Sequence, residues 1–577
     1  MSKRPRSPTL DRPAYPRRRA AQACQTCRQR RTKCDNEQPT CTSCKILGVD
    51  CSYQTRDKST FDPASLAILN RLDDLEALMR SGGHASGSTN DPQIALSPVV
   101  YRETDLASPA LARTESSLLY HMNIETILTW PVFEQRGFGQ DVDLNYLLST
   151  NAADQNVSRM LATTDLEGEN ATRLLQAFLE TIHIYNPILV LDKVQADMAE
   201  VRLNGLGWDA KSSLLLLIYA LGTITTPFGT VSPETHSIRT SENFQRAEAF
   251  FHAAQKRLWT CLSSHTLIDA QCFFLAGVYL MTTLRPSEAW RMFVQALAFC
   301  HCIPRPPSKD SSSDEQTRLR ESIYWTCFKS ELELRLELGV GKNAFLDLTY
   351  PALFPSPPNS LLSHGEPSWY YYLAEIALRR LGNRILNFVY QHDQVQTSTG
   401  NIIDAAHNFE EQARIWRESL PDILKLDQSH DESEGDSSNR ALRFILKGHL
   451  LDCYEMIYWP FVVDVIQGNI RSNQDSRDNA RKGLRICVQR IDDNENGFFY
   501  RHHGTWLMIR SCTRSAIILI SAYLSGQTSL LEPDWVLSVA KVIRMLEYWK
   551  QDSQDVVHYI KVLTKLMDEV SVELPVF

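Results

Sequence analysis

The sequence predicts a mostly α-helical protein with a small cysteine-rich module at its N-terminus and a large helical body. Three observations support this prediction: six closely spaced cysteines near the N-terminus, a short heptad pattern after them, and apolar residues at helical spacing through most of the remaining chain. Clean alternation of apolar and polar residues, which is typical of strands, is nearly absent. At 577 residues the chain is too long for one small core, so we expect several subdomains or one large helical domain.

The cysteines lie within residues 24–51 with the spacing C-x2-C-x6-C-x6-C-x2-C-x6-C, in which one unit occurs twice. They are Cys24, Cys27, Cys34, Cys41, Cys44 and Cys51. A C-x2-C pair lets two thiolates bind one metal ion from a single turn, and a third thiolate closes the site. Two tetrahedral zinc ions need eight ligand positions, which six cysteines fill only when two sulfurs bridge both metals. The spacing therefore predicts a binuclear zinc cluster.

The residues between the cysteines give the two halves of this module different surfaces. Four of the six residues from 28 to 33 are cationic, whereas residues 45–50 hold one cation, one anion and an apolar middle. Arginine donates bidentate hydrogen bonds to guanine, and both arginine and lysine neutralise phosphates. We therefore expect the first half to face DNA and the second half to pack and support it.

This segment resembles the fungal binuclear zinc cluster transcription factors over residues 24–53. The resemblance rests on the cysteine spacing, the basic run, Asp35 and Pro39. It implies that Cys24 and Cys41 bridge two zinc ions. The remaining ligands implied are Cys27 and Cys34 for one zinc ion, and Cys44 and Cys51 for the other.

The same resemblance implies DNA-contacting residues. Arg30 and Arg31 occupy the positions that read a CGG triplet in the major groove. The residues implied to contact phosphates are Arg28, Lys33 and Lys45. Double-stranded DNA with CGG-type half-sites is therefore the expected partner.

Two other interpretations of the cysteines remain. Three disulfides of a secreted module are disfavoured by the basic N-terminus, which lacks an apolar signal region. A zinc site that only stabilises the fold, without a DNA-binding role, is disfavoured by the basic first half. A module of about 30 residues cannot bury a sufficient core alone, so zinc supplies its folding energy.

The charge is divided unevenly along the chain, behind a net charge of −8. Residues 1–60 hold 14 basic and 5 acidic residues, whereas the rest holds 46 basic and 63 acidic residues. A basic head on an acidic body predicts contact with nucleic acid through the head alone. Lys3–Arg6 and Arg17–Arg19 indicate either a nuclear import signal or additional phosphate-binding surface, and we expect a nuclear protein. No run approaches about 18 apolar residues, so no membrane span is predicted.

A short coiled coil is predicted after the cysteine module. Its seam has the 4-3-4 spacing of a heptad and consists of Ile68, Leu72, Leu75 and Met79. Because the pattern covers only about two heptads, an amphipathic helix that docks on the body is the alternative to a dimerisation coil.

The predicted organisation has five segments, bounded by shifts in composition. They are a disordered basic tail (1–20), the zinc cluster DNA-binding domain (21–54), a linker with the coiled coil (55–81), a flexible linker (82–116) and the helical regulatory domain (117–577).

The body shows helical periodicity and also resembles the regulatory "middle homology region" of many fungal zinc cluster activators. The helical runs are 174–182, 212–222, 243–262, 268–283, 289–302, 319–338, 369–390, 403–418, 440–466, 477–491, 505–524 and 535–569. The resemblance is carried by Gly277–Leu280, Arg285–Trp290 and Leu336–Lys342. It implies control by transcriptional coregulators or by a small-molecule effector.

Two further constellations are interpreted as structural. Cys300-His301-Cys302 predicts two core thiols around a partly exposed imidazole at a helix end, and His502-His503 predicts a loop pair rather than metal ligands. Phosphate-binding loops and hydrolase motifs are not found, so we predict no enzymatic activity. An enzyme fused to the cluster remains an alternative, which requires a polar pocket with perturbed titratable groups.

Together these features predict a zinc-dependent, sequence-specific transcription factor that regulates RNA polymerase II transcription, most simply as a homodimer. A monomeric or heterodimeric DNA reader is one alternative, and a corepressor-type protein-interaction module is another. The fold class is a small binuclear zinc cluster, a short coiled coil and a large all-helical regulatory domain.

Overall fold

The computed structural model describes residues 26–27, 30, 34, 40–49, 51, 122–134, 168–229, 238–302, 311–340, 355, 366–394, 399–427, 437–468 and 474–573. The chain divides into two compact units, residues 1–62 and 63–577. The described residues form helices, 3-10 turns and their connections, and none of them lies in a strand. The predicted mostly α-helical fold is confirmed, whereas the predicted coiled coil lies outside the described residues.

Among the described residues of the first unit, α1 (Thr42–Leu47) is a short helix that carries a cysteine in its first turn. Cys41 precedes α1, and its Sγ accepts a hydrogen bond from the backbone N–H of Cys44 at 3.4 Å. Gly48 ends α1 with a φ of 59°, a left-handed conformation that glycine adopts without a side-chain clash. The cap and the glycine together fix the helix between two of the predicted metal ligands.

The second unit is a helical domain. Its helices among the described residues are α2 (Ile124–Ile127), α3 (Pro131–Glu134), α4 (Gly168–Thr181), α5 (Leu191–Asn204), α6 (Ala210–Ile224), α7 (Glu242–Cys261), α8 (Leu267–Thr282), α9 (Pro286–Cys302), α10 (Ser311–Leu338), α11 (Glu366–Gln394), α12 (Thr399–Glu418), α13 (Ser437–Ile466), α14 (Gln474–Asn494), α15 (Thr505–Leu524), α16 (Trp535–Trp549) and α17 (Gln554–Glu573). Helices that follow each other along the chain pack together, most extensively α6 with α7, α8 with α9, and α13 with α14.

Side-chain caps fix where several of these helices begin. The first backbone N–H groups of a helix have no partner within the helix, so a nearby side-chain oxygen stabilises the start by about 1 kcal/mol. Asp209 accepts from Ser212 N–H at 2.8 Å at the start of α6. Ser241 plays the same role for α7. At the start of α8, Asp269 accepts from Thr266 N–H at 2.8 Å.

The core is organised around α15, which packs against α8, α13, α14, α16 and α17. By length and composition this helix is apolar enough to cross a membrane, but most of it is buried inside the domain. Arg510 and Arg514 of α15 are also buried, and both are held in ion pairs. Its burial and its paired arginines make α15 a core helix of this domain.

Two details differ from the predicted helical runs. The run at 535–569 is two helices, α16 and α17, because the chain turns where the buried Asp552 pairs with Arg501 at 2.7 Å. Helix α5 was not predicted, and its exposed residues, such as Leu203 at 84% exposure, give it little apolar periodicity.

Candidate zinc and DNA-binding site

Three of the predicted metal ligands come together in the first unit. The Sγ atoms of Cys27, Cys41 and Cys44 all lie within 4.8 Å of one another, and all three residues are buried. The Sγ of Cys41 lies 3.7 Å from that of Cys27, and the Sγ of Cys44 lies 4.0 Å from that of Cys27. The fold therefore converges thiols that are up to 17 residues apart in the sequence.

These distances fit zinc. Zinc–thiolate bonds of about 2.3 Å in a tetrahedral arrangement place two sulfurs on one ion about 3.8 Å apart. Backbone N–H groups also point at the sulfurs: Cys44 N–H donates to Cys41 Sγ at 3.4 Å, and Cys41 N–H donates to Cys51 Sγ at 3.3 Å. Such N–H···S hydrogen bonds orient the sulfur atoms that would hold a metal ion. The donor set and its spacing are those of a zinc–thiolate centre.

Two of the three remaining cysteines of the module lie beside these thiols. Cys34 is buried with the other three in one small apolar cluster, and Cys51 packs against it. Cys24 lies outside the described residues. The described thiols of the module converge in one cluster, which is the arrangement expected of metal ligands.

The described cations of the module lie on its surface. Arg30 is exposed, and its backbone N–H donates to Thr26 O at 3.1 Å, so it extends the turn that carries Cys27. Lys45 is exposed in the middle of α1. Both cations are therefore accessible to a polyanion, whereas Arg28, Arg31 and Lys33 lie outside the described residues.

The second half of the module differs from expectation. Ile46 and Leu47 were expected to pack, but they are 79% and 52% exposed. The helix has only six residues, and its face with Cys44 packs against the sulfur cluster. Ile46 and Leu47 follow Cys44 and point outward, so they are exposed. The apolar middle of this segment is surface in the described structure.

Inside the helical domain, a buried network of ion pairs surrounds a cavity. Arg379 pairs with Glu333 at 2.7 Å, and Lys329 pairs with Glu375. Burial by itself raises the pKa of Glu375, but Lys329, His449 and Arg379 lower this pKa to about 2. The carboxylate is therefore ionised at neutral pH because cations surround it.

Each unit contains a segment that matches a known protein family. Residues 22–60 match the family model of the fungal Zn(2)-Cys(6) binuclear cluster domain, and residues 175–342 match that of the fungal specific transcription factor domain. The first match spans the cysteine module, and the second spans α4 to α10. These matches support a Zn(2)-Cys(6) fungal transcription factor.

Several curated proteins resemble this transcription factor. A protein of Aspergillus rugulosus named as the transcription factor ecdB is 26% identical over 493 residues, which cover 78% of this chain and 80% of the relative. A transcriptional regulatory protein of Schizosaccharomyces pombe is 20% identical over 456 residues, 71% of this chain and 58% of that protein. Transcription factor FBD3 of Fusarium pseudograminearum is 36% identical over 86 residues, 15% of this chain and 11% of its own.

The matched domains support a general activity. This transcription factor is a DNA-binding regulator of transcription whose cluster binds two zinc ions. Its domains point to a regulator without enzymatic activity. The interpretation of the cysteines as a zinc cluster is confirmed, and the domain boundaries predicted from composition stay predictions.

The two constellations interpreted as structural have different outcomes. Cys300 is buried as expected, but Cys302 is exposed, because α9 ends there and turns this side chain to solvent. His502 and His503 do lie in a loop, between α14 and α15, and both line the cavity of the helical domain.

The sequence reasoning did not find the buried charges around that cavity. Lys329 and Glu375 are 46 residues apart and belong to different helices, so no local motif joins them. The sequence signal was a charged residue within a predicted apolar helical segment. A charged residue on the apolar face of a helix indicates a buried ion pair.

Proposed function

We propose that this transcription factor reads CGG-type triplets in the major groove as a homodimer and regulates RNA polymerase II transcription in the nucleus. The observation that carries the proposal is the combination of a buried thiol cluster with exposed cations. Cys27 is buried at the centre of the cluster, and Arg30 is exposed three residues later. The relatives named as transcription factors belong to a class that is generally nuclear.

The cations of the module divide into two roles. Arg30 and Arg31 follow Cys27 closely and are assigned to the guanines of the triplet, since arginine binds guanine O6 and N7 through two hydrogen bonds. The cations assigned to phosphates are Arg28, Lys33 and Lys45. Phosphate contacts set the register of the module on the duplex, and the base contacts supply the specificity.

A homodimer gives this reader its specificity. One triplet occurs too often in a genome to define a binding site, whereas two triplets at a fixed separation are rare. The heptad residues Ile68, Leu72, Leu75 and Met79 are proposed to join two copies. The second triplet is then bound at the high effective concentration that the linker sets.

The helical domain is assigned to control rather than to DNA contact. The chain outside residues 1–60 has 63 acidic and 46 basic residues, so it repels the DNA backbone. Transcriptional coregulators, or a small-molecule effector, are the proposed partners of this domain.

In-vitro selection from random double-stranded DNA with the zinc-loaded full chain tests this proposal. Enrichment of paired CGG triplets at one separation is the expected result. Enrichment of a lone triplet would retain the base-reading residues and reject the homodimer in favour of a monomeric reader. Absence of any enriched sequence would overturn the proposal and favour a cluster that binds protein, as in a corepressor.

A further inference from the structure

A cavity of about 230 Å³ lies inside the helical domain. Its walls include residues of α10, α11, α13, α14 and α15, of the loop before α15 and of the connection between α4 and α5. One water molecule takes about 30 Å³ of the liquid, so the cavity has room for a small organic molecule. Pockets that hold such ligands are usually concave, mostly apolar and furnished with a few polar groups.

The charged side chains of the wall neutralise one another. Besides Lys329 with Glu375, the pairs are Arg379 with Glu333 at 2.7 Å, Arg490 with Asp452 at 2.8 Å, and Arg514 with Glu455 at 2.8 Å. A ligand that carried its own charge would have to break one of these pairs, or remain an uncompensated charge in a buried site. The wall therefore disfavours both anions and cations.

The rest of the wall is largely apolar. Its apolar side chains include Leu332, Leu336, Leu378, Phe444, Leu507 and Met508. These residues provide the contact surface for a hydrocarbon ring, since burial of apolar area is the main source of affinity for such a ligand. An uncharged ring compound matches both parts of the wall.

Two uncharged polar side chains of the wall have a hydrogen-bonding atom without a partner among the described residues, and Nε of the charged Arg490 is another such atom. His502 Nδ1 accepts from Gly504 N–H at 3.0 Å, and burial lowers the pKa of His502 well below 6.5. The imidazole is therefore neutral, and its proton is on Nε2. That Nε2 has no hydrogen-bond partner among the described residues, and neither has Oδ1 of Asn186. An unsatisfied buried polar atom destabilises the free protein, and a ligand with the complementary group would recover that free energy.

From the cavity, its paired charges and these two atoms, we propose that the helical domain binds a small uncharged ring compound with a carboxamide or lactam group. The carbonyl oxygen of the ligand accepts from His502 Nε2–H, the ligand N–H donates to Asn186 Oδ1, and the ring packs on the leucine-rich wall. The role of this ligand as effector rests on the proposed function, whereas its binding does not.

Gly448 provides a way to close the cavity without disturbing its wall. This glycine lies within α13 and lines the cavity, and a Cβ built on it meets no heavy atom within 4 Å. Gly448→Phe would place a ring in the ligand space. Gly448→Ala is the matched control, because both variants gain the helix propensity that glycine lacks and only one fills the space.

Fluorine NMR on the zinc-loaded full chain, without DNA, tests the proposal. The probes are para-fluorobenzamide with two charged molecules of the same shape, para-fluorobenzoate and para-fluorobenzamidine. A panel of uncharged aromatic amides and lactams is then measured by displacement of the bound probe. We expect the benzamide to bind at least about tenfold more tightly than either charged probe, Gly448→Phe to abolish its binding, and Gly448→Ala to retain it.

Three results would overturn the proposal: no binding by any uncharged probe, equal or tighter binding of a charged probe, or binding that Gly448→Phe leaves unchanged.

Asn186→Leu gives a second, independent test. It removes an unpartnered acceptor, so we expect the free protein to melt at the same or a higher temperature while its affinity for the benzamide falls severalfold. Unchanged affinity in this variant would contradict the assigned hydrogen bond. Because no DNA is present, these failures are distinguishable from a failure of triplet reading.

Discussion

Arg510 donates a hydrogen bond to each carboxylate oxygen of Glu125, at 2.8 and 2.7 Å, although the two residues are 385 positions apart in the sequence. Both side chains are buried, and Arg510 has no exposed surface. Arg510 also pairs with Glu337 of α10 at 2.5 Å. A single guanidinium therefore joins α2, α10 and α15.

Loss of this guanidinium is predicted to destabilise the helical domain strongly. Arg510→Met removes the cation that pairs with the buried Glu125 and leaves Glu337 with only its 3.5 Å contact with Arg514, so we expect the free energy of unfolding to fall by about 3–5 kcal/mol. Denaturant unfolding followed by circular dichroism measures it. The control is Arg246→Met, which breaks an exposed pair with Glu242 and is expected to cost at most about 1 kcal/mol. Equal losses in the two variants would contradict the structural role of Arg510.

Zinc is predicted to be required for DNA binding but not for the helical domain. Cys41 is fully buried among the other thiols, so Cys41→Ser should release zinc and abolish DNA binding. The helical circular dichroism signal should persist, because the buried residues of the helical core include none of the cluster cysteines. Zinc content and DNA affinity are measured together. Cys302→Ser, at an exposed cysteine, is the control and should retain two zinc ions per chain.

The two exposed cations of the module are predicted to act differently on DNA. Arg30→Ala should reduce discrimination between the triplet and a mismatched sequence by about 1–3 kcal/mol. Lys45→Ala should weaken binding to all sequences alike and reduce the salt dependence by about one ion. Equilibrium titrations at several salt concentrations separate these effects. The assignment of Arg30 to a base fails when its loss lowers affinity for specific and random DNA equally.

Three histidines are predicted to make the helical domain sensitive to acid. Burial lowers the pKa of His183 and of His503 to about 4, and that of His502 well below 6.5. An unfolded histidine has a pKa of about 6.5, so between pH 6.5 and 4 the unfolded chain binds more protons than the folded chain. Stability is therefore fully present above this window and falls as the pH drops through it, by up to about 1.4 kcal/mol per pH unit for each histidine.

His183→Gln tests this pH dependence. His183 Nε2 accepts from Leu189 N–H at 3.3 Å, and a glutamine oxygen can accept in its place without titrating. We expect the unfolding free energy of this variant to depend less steeply on pH between 6.5 and 4. His265→Gln, at an exposed position, serves as the control and should leave the slope unchanged. A slope that His183→Gln does not alter would contradict a buried neutral imidazole at this position.

The heptad residues are predicted to set the preference for paired half-sites. They lie outside the described residues, so the prediction rests on the spacing of Ile68, Leu72, Leu75 and Met79. Replacing residues 66–80 by a Gly/Ser segment of equal length should remove the preference for two triplets at a fixed separation and leave single-triplet binding intact. Binding to paired and single sites, together with sedimentation analysis, measures both effects. An unchanged preference for paired sites would exclude the coiled coil.

Much of the helical architecture was predictable from sequence, because apolar periodicity is a local signal. The run at 505–524 matches α15, and most other runs agree with helices to within a few residues at each end. The cysteine spacing predicted the cluster for a similar reason, since its chemistry repeats within 28 residues.

What the sequence did not predict depends on contacts between distant segments. Glu125 and Arg510 are polar residues on apolar helices, and only the packing of α2 against α15 brings them together. The cavity is the space left where several helices do not meet, and Gly448 gives no local sign that it faces this space. The exposure of Ile46 and Leu47 was also missed, because composition alone does not give the direction in which a short helix faces.

The arginines of α15 have a further consequence during synthesis. As this helix leaves the ribosome it has the length and hydropathy that the membrane insertion machinery recognises. Arg514 lies near its midpoint, where an arginine costs about 2.5–3.5 kcal/mol in a bilayer, and Arg510 lies one turn earlier. Arg510 and Arg514 therefore disfavour insertion of the newly made helix into a membrane, and they later stabilise the folded core. Replacing either arginine with an apolar residue would favour membrane insertion as well as destabilise the domain.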